Sequence, residues 1–250
     1  MSAMRITISR LPPLAAALAT LLLAGTAAAQ VDCNEGLAPI DRSAGSRMGA
    51  MDFIRNVAAN EVSYSKAFLN YTYTLEVSVQ TLQGDTVDGE FHRVSSVDYD
   101  AAGNRRETVT NAPTNTLTRA QVGDRDVEAL RDSFTLTPAL LAQRDIVYAG
   151  RQQIGNINTA AFDILPRNDQ ATPTRFAGRV WVRISDNSII RVCGRVGSGP
   201  FGRLRYQVVR TQVGDQYWFP ATIRADEDAP LGAGKVHVRV AVKYSDYKLR

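Results

Sequence analysis

Apolar and polar side chains alternate one by one in two long segments of this chain. Between residues 71 and 80, the even positions are all polar and the odd positions are Tyr71, Tyr73, Leu75, Val77 and Val79. Near the C-terminus, mostly charged residues alternate with Val236, Val238, Val240, Val242 and Tyr244. A period of two places the two sets of side chains on opposite faces of a β-strand. Each segment therefore predicts a strand with one buried and one solvated face.

Further segments of the same kind predict a β-rich protein. Gly84 and Gly103 mark turns between three strands, which form an antiparallel meander. From residue 145 onward nearly all of the chain has strand character, up to a loop over 228–234 and a last strand. The predicted strands cover residues 71–81, 87–99, 105–110, 146–148, 152–157, 160–166, 175–184, 189–196, 204–213, 217–226 and 235–244.

Helical spacing replaces this period before the first strand. The apolar residues that recur there at helical intervals are Phe53, Ile54, Val57, Ala58, Phe68 and Leu69. They predict an amphipathic helix, or two short ones, over residues 50–69. Residues 124–132 are a second candidate helix, with Val127 and Leu130 on one side. Residues 134–141 predict either a short helix or a loop that plugs the sheet.

Roughly ten to twelve strands with two or three helices predict a mainly β fold of the α+β class. No repeat or linker-like segment follows Arg47, so we expect residues 50–250 to form one domain. The helices should cover the dry face of a large antiparallel sheet. A sheet of this width should curl.

The first thirty residues predict export. Two arginines, Arg5 and Arg10, precede a short apolar run that ends at Ala27, Ala28 and Ala29. This arrangement is typical of a secretory signal peptide over residues 1–29, cleaved after Ala29. Residues 30–49 then predict an irregular lead-in. We expect a periplasmic or secreted protein.

Charge and composition exclude several functions. The chain has 29 basic and 25 acidic residues. Without the two signal-peptide arginines, 27 − 25 leaves a net charge of +2, too small to indicate nucleic-acid binding. Its 2 histidines, His92 and His237, and its 2 cysteines share no ligand motif. We therefore expect no metal site and no cofactor.

Catalytic motifs are absent from the sequence. Residues 197–202 match a glycine-rich dinucleotide pattern, but a strand rather than a helix follows them, so they predict a hairpin connection. There is no HExxH, GxSxG or CxxC motif. His92 and His237 lie on predicted strands and are expected to be solvated rather than catalytic. The prediction is a protein that is not an enzyme, with no catalytic residues.

The two cysteines allow two interpretations. Export favours a disulfide between Cys33 and Cys193, and the alternative is two unpaired thiols with Cys193 buried in a strand. A closed loop of this length would stabilise the fold by at most roughly 5 kcal/mol.

Trp181 shares a predicted polar face with Arg179 and Arg183. It is expected to cover the outside of the sheet, to stack on arginine, or to mark a contact surface.

Several segments together resemble the periplasmic lipoprotein-carrier superfamily of LolA/LolB-like proteins, including its secreted members of unassigned role. They are residues 70–73, the run Phe162 to Pro166, the strand Phe176 to Val182, residues 188–191, Tyr217 to Pro220, and Tyr244 to Tyr247. The resemblance covers roughly residues 50–249. It implies a half-open β-barrel with helices as a lid and an apolar cavity that receives acyl chains. The sequence alone assigns the lid-locking arginine of that superfamily to no position.

Three functions are compatible with the sequence. The first is a carrier for lipid or lipidated protein, with a possible envelope protein as partner. The second is a structural or interaction protein of the envelope whose interior is filled by its own helices, and the last is a hydrolase. For the carrier, the expected ligand-binding residues are Tyr73, Leu75, Val77, Val180, Val182, Val238, Val240 and Val242.

Overall fold

The computed structural model describes residues 31–45, 49–123, 126, 135–167, 176–196, 201–231 and 234–250. Three predictions lie wholly or almost wholly outside these residues. They are the signal peptide over 1–29, the candidate helix over 124–132, and the glycine-rich connection that begins at residue 197. Those three stay predictions, as does the division of the chain into domains.

One long helix precedes the sheet, as the spacing predicted. Helix α1 (Ala50–Phe68) is 19 residues long. Asp52 in its first turn and Lys66 in its last turn complement the helix dipole. Its buried side chains are Phe53, Ile54, Val57, Ala58, Glu61, Ala67 and Phe68.

Within the described ranges, eleven strands and one further short helix follow in chain order. The first four strands are β1 (Tyr71–Gln83), β2 (Thr86–Tyr99), β3 (Arg105–Val109) and β4 (Thr114–Asn115). Helix α2 (Pro138–Leu141) resolves the open prediction for 134–141, and its N-cap Thr137 accepts a hydrogen bond from Leu140 N. The remaining strands are β5 (Arg144–Ile154), β6 (Ile157–Pro166), β7 (Ala177–Arg183), β8 (Ile189–Arg195), β9 (Arg205–Val213), β10 (Tyr217–Leu231) and β11 (Gly234–Leu249).

All of the strands belong to one antiparallel sheet. Its order is β3-β2-β1-β11-β10-β9-β8-β7-β6-β5, and β4 pairs with β2. The two ends of this order, β3 and β5, do not pair with each other, so the sheet is open. The predicted fold class is confirmed: a large antiparallel sheet with helix α1 on one side.

The sheet curls around a single large apolar cluster. Val77 lies opposite Val242 in the β1–β11 ladder, and Val180 lies on β7, five strands away along the sheet. Val77, Val242 and Val180 nevertheless belong to the same cluster. Phe53 and Ile54 of α1 belong to it as well. Packing of an amphipathic helix onto the concave face removes both apolar surfaces from water.

Strand β5 corrects one prediction. The segments 146–148 and 152–157 were predicted as separate strands, but β5 is continuous to Ile154 and the chain then turns. The ladder with β6 shifts register between Tyr148 and Gly150. The extra residue reverses which face each following side chain occupies, so the alternation breaks at that point.

The prediction of a loop over residues 228–234 is also wrong. Strand β10 continues to Leu231, and its ladder with β11 extends to the pair Leu231 and Gly234. Ala229 is fully buried opposite Val236. Pro230 and the nearby glycines are turn signals in sequence, but the buried pair keeps the hairpin regular almost to its tip.

The lead-in forms an ordered connection that we call the strap, defined as residues 31–45. It has no helix and only two isolated bridges to β5, from Leu37 to Ile154 and from Asp41 to Arg151. Gly150 allows the second contact, because a Cβ there would lie 2.5 Å from the Asp41 carbonyl oxygen. The strap lies within the irregular lead-in predicted over residues 30–49, which stays a prediction. No helix in the described part of the chain is long and apolar enough to cross a bilayer.

Candidate binding site

The structure brings the eight predicted ligand-binding residues together on the concave side of the sheet. They lie on β1, β7 and β11 and belong to one apolar cluster. None is more than 2% exposed: Tyr73, Leu75, Val77, Val180, Val182, Val238, Val240 and Val242. Their role in binding stays a prediction, since α1 contributes to the same cluster.

Helix α1 presents its apolar side to this surface. Phe53 stacks on Phe162 of β6 with ring centroids 5.5 Å apart. At the other end of the helix, Phe68 meets Phe219 edge-on at 5.1 Å. The outward side of the helix is mostly polar, and Arg55 and Asp52 form an exposed ion pair there. The helix thus spans the concave face with its two ends anchored by aromatic contacts.

A buried ion pair interrupts the apolar surface beneath α1. Both Arg210 terminal nitrogens donate to the Glu61 carboxylate, at 2.6 and 2.8 Å. Each side chain is 3% exposed, and the Arg210 guanidinium carbon lies 4.5 Å from the Tyr64 ring centroid. Burial acts to lower the pKa of Arg210, but the Glu61 carboxylate outweighs it and holds that pKa above its ordinary value.

Aromatic rings surround this pair. Tyr247 lies 5.4 Å from Phe219 and 5.5 Å from Tyr73 between ring centroids. Its hydroxyl donates to the Pro220 carbonyl at 2.7 Å. Burial raises the pKa of the Tyr247 hydroxyl, so it stays neutral as a donor. The ion pair therefore has little exposed surface and lies next to neutral aromatic side chains.

A second polar group lies at the β3 end of the sheet. Arg93 and Arg105 share the Glu107 carboxylate, at 3.1 and 2.6 Å, and all three side chains are largely buried. The Tyr73 and Tyr99 hydroxyls are 3.4 Å apart. Polar groups thus occur both beneath α1 and at one end of the concave surface.

The outer face of the sheet carries the disulfide. Cys33 and Cys193 are bonded, with their Cα atoms 5.7 Å apart, and this is the pairing that export favoured. Cys193 packs with Ala161 and Trp181 in a small cluster that Leu37 and Ile154 complete. The disulfide therefore fixes one end of the strap to β8.

Trp181 lies beneath the strap and is fully buried. Its indole N–H donates to Gln152 Oε1 at 2.6 Å. The guanidinium carbons of Arg179 and Arg191 lie 6.0 and 5.7 Å from its ring. Two of the predicted roles are confirmed, namely covering the outer face and stacking on arginine, while the strap occupies the surface above the ring.

The two histidines contact carboxylates on the polar face. His237 contacts Asp226 at 2.6 Å and Asp228 at 2.9 Å, and His92 contacts Glu76 at 3.1 Å. Burial acts to lower the pKa of His237, but the two carboxylates outweigh it and raise that pKa. Within the described ranges, no group of three or more His, Cys, Asp or Glu side chains is arranged to hold a metal ion.

Comparison with known proteins gives fold-level similarity. No family model and no curated protein matches the chain. Among solved structures, it is similar to a LolA superfamily protein from Nitrosomonas europaea. The identity is 12%, the TM-score is 0.37, and the match covers 78% of this chain and 93% of that chain. A protein of the superfamily that the order of elements resembles is therefore among the similar solved structures.

Two further solved structures are similar over a comparable share of the chain. One is a DUF1329 family protein from Desulfovibrio piger, at 11% identity and a TM-score of 0.38, covering 78% of this chain and 92% of that chain. The other is the complex of MucA and MucB from Pseudomonas aeruginosa, at 10% identity and a TM-score of 0.26, covering 79% and 94%.

Sequence reasoning missed the buried ion pair, although both residues interrupt a pattern. Glu61 follows Ile54, Val57 and Ala58 on the apolar stripe of the helix. Arg210 lies at an alternate position of β9, on the same face as the buried Tyr206 and Val208. A charged residue at a position predicted to be buried is a signal that a partner of opposite charge lies nearby, but only the fold pairs the two.

Proposed function

We propose that this protein is a non-enzymatic periplasmic carrier for lipid or lipidated protein, with acyl chains held between α1 and the concave face. The observation that carries the proposal is the placement of α1. A 19-residue amphipathic helix covers the concave side of an open sheet, and its buried side chains share one apolar cluster with the predicted ligand-binding residues.

The free energy needed to move α1, the proposed lid, off the sheet is similar in size to the free energy gained by burying an acyl chain. Moving α1 away exposes Phe53, Ile54, Val57 and Phe68, which are each at most 7% exposed. Exposure of such side chains costs about 1.5–3 kcal/mol each. About a dozen buried acyl methylenes return about 0.8 kcal/mol each. An acyl chain can therefore replace the helix on the sheet at nearly balanced free energy.

The Glu61–Arg210 pair supplies a reversible attachment for this lid. Desolvation offsets much of the attraction within a buried pair. When the helix leaves, both charges regain water, so separation of the intact pair costs far less than deletion of one partner. We therefore assign Arg210 the role of fastening the lid in its closed position. A carrier must also receive and release cargo, so the proposal includes a protein partner in the envelope.

A structural or interaction protein of the envelope is the second candidate. The near-complete burial of all eight predicted ligand-binding side chains favours it. In that case α1 is a permanent part of the core and no cargo enters. The two candidates differ in one measurable property, which is whether the concave face exchanges α1 for an acyl chain.

Titration with a fluorescent fatty acid separates these candidates. We expect the wild-type protein to bind the probe and Val182→Phe to lose binding while staying folded, because the larger ring fills the concave surface at a cost of about 1–3 kcal/mol. The matched control is Val147→Phe, at a position that is 49% exposed on β5. If the wild-type protein binds no acyl probe, the structural candidate replaces the carrier.

Native mass spectrometry of the protein purified from its own periplasm gives an independent test. The carrier predicts a lipid that is retained by the folded protein and released on unfolding. The variant Val182→Glu should lose such a lipid, and it should also unfold more easily, because an unpaired buried carboxylate is costly. Val182→Phe is therefore the more informative variant.

A further inference from the structure

The strap and helix α1 are consecutive parts of one chain segment. The strap begins on the outer face, where Gln207 Nε2 of β9 donates to the Asp32 carbonyl at 3.2 Å. It continues over β8, where Arg191 donates to the Glu35 carbonyl at 3.1 Å. Helix α1 begins a few residues after the strap ends, on the opposite face of the sheet.

The strap crosses from one face of the sheet to the other at the edge of β5 that does not pair with β6. Gln152 donates to the Ala38 carbonyl at 2.6 Å on the outer side. Asp41 and Arg151 then exchange both backbone hydrogen bonds, at 2.8 and 2.9 Å. On the inner side the Tyr148 hydroxyl donates to the Ala44 carbonyl at 2.9 Å. The start of α1 is therefore tied to the outer face through this crossing.

One covalent bond fixes the far end of the strap. Apart from the Cys33–Cys193 disulfide, the attachments described above are single hydrogen bonds, the Asp41–Arg151 pair and the contacts of Leu37. Each such hydrogen bond contributes little net stability on its own. Without the disulfide, the strap is held by these weak contacts alone, and segments of that kind open most easily.

A cavity of about 510 Å³ on the outer face reaches this disulfide. Both cysteines line it, with Trp181 and three arginines, Arg179, Arg195 and Arg205. Asp163 in its lining binds Arg179 at 2.7 and 2.9 Å, and Glu227 binds Arg195 at 2.5 Å. Arg205 is therefore the lining arginine on which the effect of positive charge rests. Positive charge near a disulfide favours the approach of a thiolate and stabilises the thiolate that leaves.

We propose that Cys33–Cys193 is a redox-sensitive clasp, opened by a dithiol that enters the outer cavity, and that its opening frees the strap and the N-terminal end of α1. The role of α1 as a lid rests on the proposed function. The clasp itself rests on the disulfide, the cavity and the crossing at β5.

The reduction is a two-step exchange. A thiolate of the dithiol attacks Sγ of Cys33, which is the less buried sulfur, the S–S bond breaks, and Cys193 leaves as a thiolate and takes up a proton. The second thiol of the reductant attacks the mixed disulfide and releases Cys33 as a thiol. Two electrons and two protons pass to the protein, and the reductant becomes a disulfide.

Hydrogen exchange of the exported protein tests the coupling. In Cys33→Ser, and in wild-type protein reduced with dithiothreitol, we expect amide exchange at Arg151 and Phe53 to accelerate by about tenfold or more, as local opening becomes easier. Amides of Val77 and Val242 in the β1–β11 ladder should exchange with the free energy of global unfolding of each form, whereas those of Arg151 and Phe53 should exchange with a lower free energy. Unchanged exchange at either Arg151 or Phe53 overturns the proposal, and so does uniform acceleration across the sheet.

Reduction kinetics test the route. We expect dithiothreitol to reduce the disulfide in folded protein, and Arg205→Gln to slow this reaction several-fold at fixed pH, because the cavity loses positive charge. Arg106→Gln is the matched control, since Arg106 is 70% exposed on β3. Reduction that requires denaturant, or equal rates in both variants, contradicts entry through the cavity.

An acyl-probe titration distinguishes failure of the clasp from failure of the carrier. If the clasp controls the lid, reduced protein should bind the fluorescent fatty acid several-fold faster than oxidised protein. If neither form binds the probe, the carrier function fails, and the exchange of Arg151 and Phe53 still decides whether the clasp exists. If both forms bind at the same rate, the carrier stands and the clasp does not control its lid.

Discussion

Glu61 and Arg210, which are 149 residues apart in the sequence, form a bidentate ion pair beneath helix α1 at 2.6 and 2.8 Å. Each of these two side chains is 3% exposed. A pair this well buried links the helix to β9 by polar contacts within an apolar cluster. Its removal should therefore act on the helix more than on the strands.

Deletion of one partner should be strongly destabilising. We expect Glu61→Ala to lower the free energy of unfolding by about 3–5 kcal/mol, because Arg210 stays buried without its counter-charge. Replacement of both residues by apolar ones, Glu61→Met with Arg210→Leu, should restore most of that loss. Urea denaturation measures both. Asp52→Asn, in an exposed pair, is the control and should change stability by about 0.5 kcal/mol or less.

His237 should make stability depend on pH. Its pKa is raised by Asp228 and Asp226 against the effect of burial. The stabilisation is therefore fully present below the unfolded-state pKa of about 6.5 and is lost as the pH rises through the higher folded-state pKa. We expect His237→Gln to be less stable than wild type at about pH 5, with the difference shrinking by about pH 8.

Unfolding in urea at several pH values measures this dependence. Asp228→Asn should weaken it, because one of the two carboxylates that favour the charged imidazole is gone. A His237→Gln difference that grows toward alkaline pH would contradict the assignment.

Gly150 should resist substitution. Its φ is +132°, and an added Cβ would lie 2.5 Å from the Asp41 carbonyl oxygen and 2.7 Å from Ile40 Cγ2. We expect Gly150→Ala to cost about 1–3 kcal/mol and to displace the strap from β5. Gly155→Ala is the comparison, since Gly155 also has positive φ but open space around it. Equal losses in the two variants would show that the strap contact contributes nothing.

Reduction of the disulfide should lower global stability. A loop of 160 residues between Cys33 and Cys193 gives a chain-entropy limit of roughly 5 kcal/mol. We expect a lower urea midpoint for reduced wild type, and Cys33→Ser should match it whether or not reductant is present. Two freely alkylated thiols in native exported protein would refute the bond.

The two tryptophans should respond differently to loss of the indole N–H. Trp181→Phe removes the donor to Gln152 and should cost about 1–3 kcal/mol. The buried Trp218 Nε1 has no hydrogen-bond partner within the described residues, so Trp218→Phe should cost much less. Thermal unfolding compares the two variants. A larger loss for Trp218→Phe would contradict the proposed importance of the Trp181 contact.

Local patterns in the sequence determined most of the elements. The period of two placed Leu75, Val77 and Val240 on the buried face, and the structure buries all three. Helical spacing placed α1 within one residue of its observed end. These predictions succeed because a strand or helix that buries one face needs apolar residues at the period of that element. This holds whatever other element packs against the buried face.

Tertiary structure decided the features that depend on distant contacts. The register shift near Gly150 coincides with the close approach of the strap, and the burial of Trp181 follows from the strap lying above it. The same holds for Glu61 and Arg210, each of which looks like an exception within its own segment. A buried charge is tolerated only when the complete fold brings its partner within hydrogen-bond distance, and no local period carries that information.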